Sequence, residues 1–400
     1  MSGWPVSEPG LFDGILARGA VRAEVDDGAW LQAMLDVEAA LARVQGSPHA
    51  DSIAGCCQAE LLDAGRLGAE AARVANPVVP LVQAVRESVG ADAAADVHRG
   101  ATSQDILDTA AMLVAHRALG PLLDDLSAAA DAAAALAERH RETAMAGRTL
   151  LQQAVPITFG LKAAGWMTGL DAAAARLADV RRDRLAVQLG GAAGTLAAFG
   201  GDGPRLLGDL AADLGLGEPA LPWHTDRTRV AELAAGLGEA CGVTGKVAED
   251  VVLMAQTEVA EVREGDPGAG GSSAMPHKHN PVAAVSTRAC ANQAPGLVAT
   301  LLRCMTGEHE RAAGAWQAEW RPLTELLRLT GSAAAWLRHC LEHLEVDPGR
   351  MTENLRRGSE QALAEEPEAE GMLDVADAVA AAGTLVDRAL GVRATLGRRA

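Results

Sequence analysis

Long stretches with no proline, or with a single one, constrain the fold of this chain more than any other feature. Ile106–His140 is interrupted only by Gly120-Pro121, Ile157–Leu189 and Thr225–Glu264 contain no proline, and Val282–Met305 and Trp316–Leu344 carry one each. A helix of ~35 residues is ~50 Å long, and such rods stabilise one another only side by side. Thr225–Glu264 shows the helical period directly. Val230, Leu233, Leu237, Cys241, Thr244, Val247, Val251, Met254 and Val259 recur at spacings of three to five, with Arg, Glu and Asp between them. Alanine and glycine fill several remaining positions and permit close approach to more than one neighbour, so subunits are expected to pack through these helices. Aromatic residues make up 2% of the chain and tyrosine is absent, which disfavours sheets built from aromatic and β-branched side chains. The expected class is all-α, a bundle of long helices.

Four hundred residues exceed one ordinary hydrophobic core, and 49% hydrophobic content is ample for burial. Before Ile106 the helical patterns are shorter, with Asp26–Gln45 the clearest and breaks at Gly46-Ser47-Pro48 and Asn76-Pro77. After Val346-Asp347-Pro348-Gly349 comes a short tail with an acidic stretch from Glu365 to Glu370, read as a solvated segment. The chain therefore divides into an N-terminal helical domain, residues 1–105, a central bundle, 106–345, and a small C-terminal domain, 346–400.

The formal charge of −18 repels phosphate backbones and anionic membranes alike, so neither nucleic acid nor membrane is an expected partner. The opening Met1-Ser2-Gly3-Trp4-Pro5 has no basic and apolar leader pattern, and no apolar run approaches the ~20 residues of a membrane span; a cytoplasmic protein is expected. Cys56 and Cys57 are adjacent, and Cys241, Cys290, Cys304 and Cys340 are scattered. They read as small buried hydrophobes kept reduced, with no metal-type spacing.

Against this background Gly271-Ser272-Ser273-Ala274-Met275-Pro276-His277-Lys278-His279-Asn280-Pro281 is a loop of chemically active residues that a packed element has no use for. Its glycine-rich lead-in from Gly265 lets the backbone open and close. Its hydroxyls, Lys278 and Asn280 offer a proton carrier and partners for a developing anion. Three further segments are rich in polar residues: His98-Arg99-Gly100-Ala101-Thr102-Ser103-Gln104-Asp105; Gly147-Arg148-Thr149-Leu150-Leu151-Gln152 with its continuation to Gly160; and Gly307-Glu308-His309-Glu310-Arg311 with its continuation to Trp320.

The loop resembles the GSSxMPxKxNP stretch of the fumarase/aspartase superfamily, whose members add a nucleophile to a carbon–carbon bond beside a carboxylate or eliminate it. The first two further segments resemble that superfamily's HxGxTSxDxxDT and GRTHxQxAxPxTFG stretches, and the third is similar to the EHERxxGxWQxEW run of bacterial 3-carboxy-cis,cis-muconate cycloisomerases. The resemblance implies a three-domain helical fold and a homotetramer whose active sites are shared between subunits. It also implies a small polycarboxylate substrate and no cofactor or metal. By the same resemblance Ser272, Lys278 and Asn280 are catalytic, Ser272 moving the proton α to a carboxylate while Lys278 and Asn280 stabilise the resulting dianion. Ser273 is an adjacent candidate for that proton. Thr102 and Ser103 bind a carboxylate at a helix start, and Arg311 binds one bidentately. His98, Arg148, Thr149, Gln152, Ser273, Met275 and His277 complete the set of substrate contacts. His277 and His279 either touch a substrate carboxylate or lie at the surface.

Leu150 departs from the pattern, because many superfamily lyases have there a histidine that manages the proton of a leaving nitrogen or oxygen. A leucine carries no proton. A carboxylate, with a pKa near ~4, departs unaided at neutral pH, so the reaction implied is the interconversion of 3-carboxy-cis,cis-muconate and a carboxymuconolactone. A same-fold lyase releasing another stable anion, such as nitrite from a nitrosuccinate, is the nearest rival, with an adenylosuccinate-type lyase behind it. Intact Ser272, Lys278 and Asn280 speak against a catalytically silent structural relative.

Overall fold

The computed structural model describes residues 10–266, 270, 271, 275, 278–365 and 374–396. Helix dominates, and the proline-poor stretches are its long members: Ser103–Arg139, Phe159–Asp183, Thr228–Met254 and Ala315–Glu342. The periodic positions Val230, Leu233, Leu237, Cys241, Thr244, Val247, Val251 and Met254 are all buried. Val259 lies beyond the helix end and is half-buried. Glycine does in this helix what its position suggests, since a Cβ on Gly238 would stand 2.9 Å from Val298 Cγ2.

Two prolines sit inside helices rather than ending them, Pro121 in the 37-residue Ser103–Arg139 helix and Pro322 in Ala315–Glu342. Each removes one backbone bond at a cost of about 3 kcal/mol. Around Pro121 burial offsets that cost, because Leu119, Leu122 and Leu126 are fully buried. Pro295 acts in the ordinary way, opening the Ala294–Arg303 helix just after Val282–Ala291 ends. The Ser103–Arg139 helix is long and apolar enough to cross a bilayer, contrary to the sequence expectation that no run approaches that length. Burial of 72% of its apolar window inside the protein marks it as core.

Two small antiparallel pairings add to the helices. Ala144–Thr149 pairs with Gln152–Thr158, with an irregularity between Ala146 and Arg148, and Val262–Glu264 pairs with Leu344–Val346. The first pairing claims Ile157 and Thr158, so the following helix begins only at Phe159.

By internal contacts the chain forms two compact units, one of Met1–Leu122, Arg176–Gly238 and Gln293–Gly331, the other of Leu123–Ala175, Glu239–Asn292 and Ser332–Ala400. The first holds the His98 to Asp105 segment, Arg311 and the helix Val78–Val89. The second holds the hairpin and the ends of the 271–281 loop. Leu237, fully buried, reports on the core of the first unit. Leu237→Ala is expected to lower unfolding free energy by about 2–5 kcal/mol, seen as a lower denaturant midpoint with unchanged slope.

Candidate active site

In the first unit the site is built from the first turn of Ser103–Arg139. Thr102 precedes that helix, and Asp105, on its third residue, reaches back to accept the Thr102 amide at 2.9 Å, an arrangement that satisfies an otherwise orphaned N–H. The same carboxylate, fully buried, also accepts the amides of Gly190 and Gly191 at 2.9 Å each and the Nε2 of His224 at 2.7 Å. His224 is buried too, and a Cβ on Gly190 would come within 2.8 Å of its ring. One charge therefore ties the helix start to two other stretches of chain.

Arg311 closes the arrangement. Its Nη1 donates to Thr102 Oγ1 at 2.6 Å and its Nε to Gln104 Oε1 at 2.9 Å, while Gln104 Nε2 donates to the His224 carbonyl at 2.7 Å. A third, longer bond reaches the Ala192 carbonyl at 3.4 Å. All these acceptors are neutral oxygens, so the guanidinium keeps its full charge for an anion. Ser103 is half-buried beside Thr102. His98 has a left-handed backbone, φ 59°, and its Nδ1 lies 2.7 Å from Oε1 of Glu38, a carboxylate with no exposed side-chain surface. That bond fixes the ring and leaves Nε2 for a second partner.

One turn further along the helix, Asp108 accepts Nη1 and Nη2 of buried Arg227 at 2.8 and 3.0 Å, and Glu319 accepts from the same guanidinium at 2.6 to 3.2 Å. Trp316 Nε1 donates to Asp108 at 3.0 Å, and Arg227 lies 4.9 Å over the Trp223 ring. Burial opposes the Arg227 charge, but Asp108 and Glu319 outweigh it and hold the group above its ordinary value. Burial pushes the Glu319 carboxyl up, against the pull of Arg227. This cluster places the 316–320 part of the third segment against the helix that follows Thr102.

In the second unit the Gly147 to Gly160 segment is largely a hairpin. Leu150 and Leu151 form its two-residue turn with φ 51° and 66°, the left-handed pair that asparagine and glycine normally supply. Both leucines are exposed, 97% and 76%. Thr149 and Gln152 flank them and are exposed as well. Arg148 is held bidentately by fully buried Glu261 at 2.7 and 2.8 Å, and Asn354 Nδ2 donates to the same carboxylate at 2.9 Å.

The loop is tied at its neck. Gly271 bridges His279, and the Asn280 amide and Nδ2 both donate to the Gly270 carbonyl, at 2.9 and 3.1 Å. Gly270 has φ 74°, and a Cβ there would meet the Asn280 carbonyl at 2.4 Å. Lys278 and His279 are exposed, as is Met275 at 43%. Ser272, Ser273 and His277 lie outside the described residues. Among the described residues no group of three or more His, Cys, Asp or Glu side chains is placed to hold a metal ion.

Sequence reasoning named Thr102, Ser103, Arg311 and Arg148 but missed Glu38, Gln104, His224 and Glu261. Gln104 stood inside a quoted segment. The other three lie far from their partners in the chain, and only their burial singles them out.

The arrangement is that of a helical lyase, and the chain belongs to the lyase family, whose model matches residues 13–296. It is similar to a 3-carboxy-cis,cis-muconate cycloisomerase of Bradyrhizobium diazoefficiens, 48% identical over 86% of this chain and 79% of that one. It is also similar to a nitrosuccinate lyase of Streptomyces davaonensis, 45% identical over 90% of this chain and 80% of that one. Among solved structures, the 3-carboxy-cis,cis-muconate lactonizing enzyme of Pseudomonas putida aligns with a TM-score of 0.85 and 40% identity, covering 96% of this chain and 88% of its own.

Arg227→Met is expected to lower stability by about 3–5 kcal/mol, because it leaves two buried carboxylates without their cation, Asp108 keeping only the Trp316 Nε1 donor. Denaturant unfolding of the variant beside Glu319→Gln, which keeps the Asp108 pair, checks this: the smaller loss belongs to Glu319→Gln.

Proposed function

We propose that this chain is a cofactor-independent cycloisomerase interconverting 3-carboxy-cis,cis-muconate and a carboxymuconolactone. The observation that carries the reading is Leu150, an aliphatic side chain 97% exposed at a hairpin tip where nitrogen- and oxygen-releasing relatives by resemblance carry a proton donor. A reaction whose leaving group is a carboxylate needs no donor there. The cycloisomerase relatives at 45–48% identity support the same reading.

In the lactone-opening direction Ser272 takes the proton α to a carboxylate. The two electrons of that C–H bond pass into the carboxylate to give the aci-dianion, then form the new double bond as the ring carboxylate oxygen departs. In the closing direction the carboxylate oxygen adds to the diene and Ser272 returns the proton. Lys278 and Asn280 stabilise the dianion by charge and hydrogen bonding. A serine needs help to act as a base, and closure of the loop with the Lys278 ammonium nearby supplies it. Thr102, Ser103 and Arg311 hold one carboxylate, with His98 beside them. Thr149, Gln152, Ser273, Met275 and His277 line the substrate, whereas Arg148, expected by resemblance to bind it as well, is engaged bidentately by Glu261 and sets the hairpin's base.

The assembly belongs to the same proposal. Two leucines in left-handed turns cost about 1–2 kcal/mol each, and nothing on the hairpin tip covers them among the described residues. Burial against another copy of the chain offsets both the strain and the exposure, in a homotetramer whose active sites draw on several copies. The proposed setting is the cytoplasmic breakdown of an aromatic acid by the β-ketoadipate route. The division into residues 1–105, 106–345 and 346–400 is the proposed counterpart of the superfamily's three domains.

Ser272→Ala is expected to reduce kcat for 3-carboxy-cis,cis-muconate by at least ~10³-fold while substrate still binds, since only the proton carrier is lost. An inert Ser273→Ala beside a near-normal Ser272→Ala moves the assignment by one residue. Leu150→His is expected not to accelerate lactonisation, and the wild-type protein is expected not to cleave adenylosuccinate or argininosuccinate. Spectrophotometric assays of both proteins on these substrates and on nitrosuccinate check this. Nitrite release without muconate turnover assigns the chain to the nitrosuccinate reaction instead.

A further inference from the structure

The helix Val78–Val89 carries a face that the proposed reaction has not used. Val79, Val82, Gln83 and Arg86 stand at i, i+3, i+4 and i+7, so they share one side of it. The neighbouring face packs into the core through Val78, Leu81 and Val85, all fully buried. Together with His98 and Ser103, the four residues line a cavity of about 360 Å³, which is within the range of small-ligand sites. Two of these lining residues belong to the segment assigned to substrate, and Ser103 adjoins Thr102, the partner of Arg311.

Among the described residues no acidic side chain lines this cavity. Arg86 Nη2 donates to the Val97 carbonyl at 3.0 Å, a neutral oxygen. Glu87, the next residue along the helix, is engaged by Gln83 Nε2 at 3.0 Å, and Glu38 lies behind His98 and holds its Nδ1. What remains is a guanidinium, an imidazole, an amide oxygen and a hydroxyl around two valines. Of these the guanidinium, the imidazole and the hydroxyl can donate to a carboxylate, and the two valines suit an apolar carbon frame.

We propose that Arg86 is a specificity-determining residue that binds an additional carboxylate of the substrate, so that this cavity distinguishes a tricarboxylate from a dicarboxylate. The inference rests on the cycloisomerase reading and deepens it. A dicarboxylate is served by the Thr102 and Arg311 end together with the loop cation, whereas a third carboxylate needs a further cation, and Arg86 supplies it. The Val97 bond holds the guanidinium beside the His98 turn, which limits the side-chain freedom lost on binding.

The test compares wild type, Arg86→Met and Arg86→Lys, each first matched for thermal midpoint and circular dichroism. The expected result for Arg86→Met is a KM for 3-carboxy-cis,cis-muconate raised by about 10-fold or more with kcat within about 3-fold, partly rescued in Arg86→Lys. Calorimetric titration with tricarballylate and with succinate separates this proposal from the reaction itself. Tricarballylate is expected to weaken by about 10-fold or more in Arg86→Met while succinate changes by less than about 2-fold. Equal effects on the two anions, no effect on either, or failure of wild type to bind tricarballylate overturns the role of Arg86. Tricarballylate discrimination in a wild-type protein that does not turn over muconate upholds the tricarboxylate site and overturns the reaction instead. A loss of kcat with unchanged KM assigns Arg86 to holding the Val97 turn and also overturns the proposal.

Discussion

The Asp105 carboxylate is the constraint on which the rest of the first unit's site depends. It is fully buried and accepts three backbone amides and one imidazole. A buried charge of this kind is tolerable only when its lone pairs are filled, so each donor is fixed by the need of the others. Thr102 is held at the helix start, the 190–191 turn is drawn against it, and the His224 carbonyl is turned to receive Gln104. Arg311 then finds two neutral oxygens, on Thr102 and Gln104, at bonding distance. The guanidinium is positioned without being neutralised, which is what a residue awaiting an anion requires.

The two arginines of the quoted segments show how differently the same side chain can be employed. Among the described residues Arg311 meets only neutral acceptors, whereas Arg148 meets a fully buried carboxylate in bidentate geometry with Asn354 supporting it. Sequence alone presents both as cations in polar motifs. The distinction comes from Glu261, which is more than a hundred residues along the chain from Arg148 and carries no local signal. The same holds for Glu38 beside His98. Partners that act through space are invisible to spacing arguments, and burial is the property that reveals them.

The long helices were legible because proline placement and hydrophobic period are local properties, and the Thr228–Met254 helix buries its periodic positions through Met254. The hairpin was not legible. Its turn residues are leucines where asparagine or glycine is usual, so the turn chemistry that normally marks such a loop is missing. Pro121 and Pro322 did not obscure the long helices, because the apolar period runs on either side of each and the helices continue through them.

Leu150 joins these threads. Local energetics disfavour a leucine with positive φ, and solvation disfavours one that is almost wholly exposed, yet the position holds both features together. Neither is compensated within the hairpin, whose flanking Thr149 and Gln152 are exposed as well. In the proposed assembly, a residue kept under two independent penalties is explained by what it does when another copy covers it. In the proposed chemistry an apolar group is suited to that place, because a departing carboxylate needs no proton and a dry wall strengthens the charge interactions that stabilise the dianion. On the proposed function, the strain of the turn and the absence of an acid are two consequences of one requirement, an apolar tip presented to the reacting substrate.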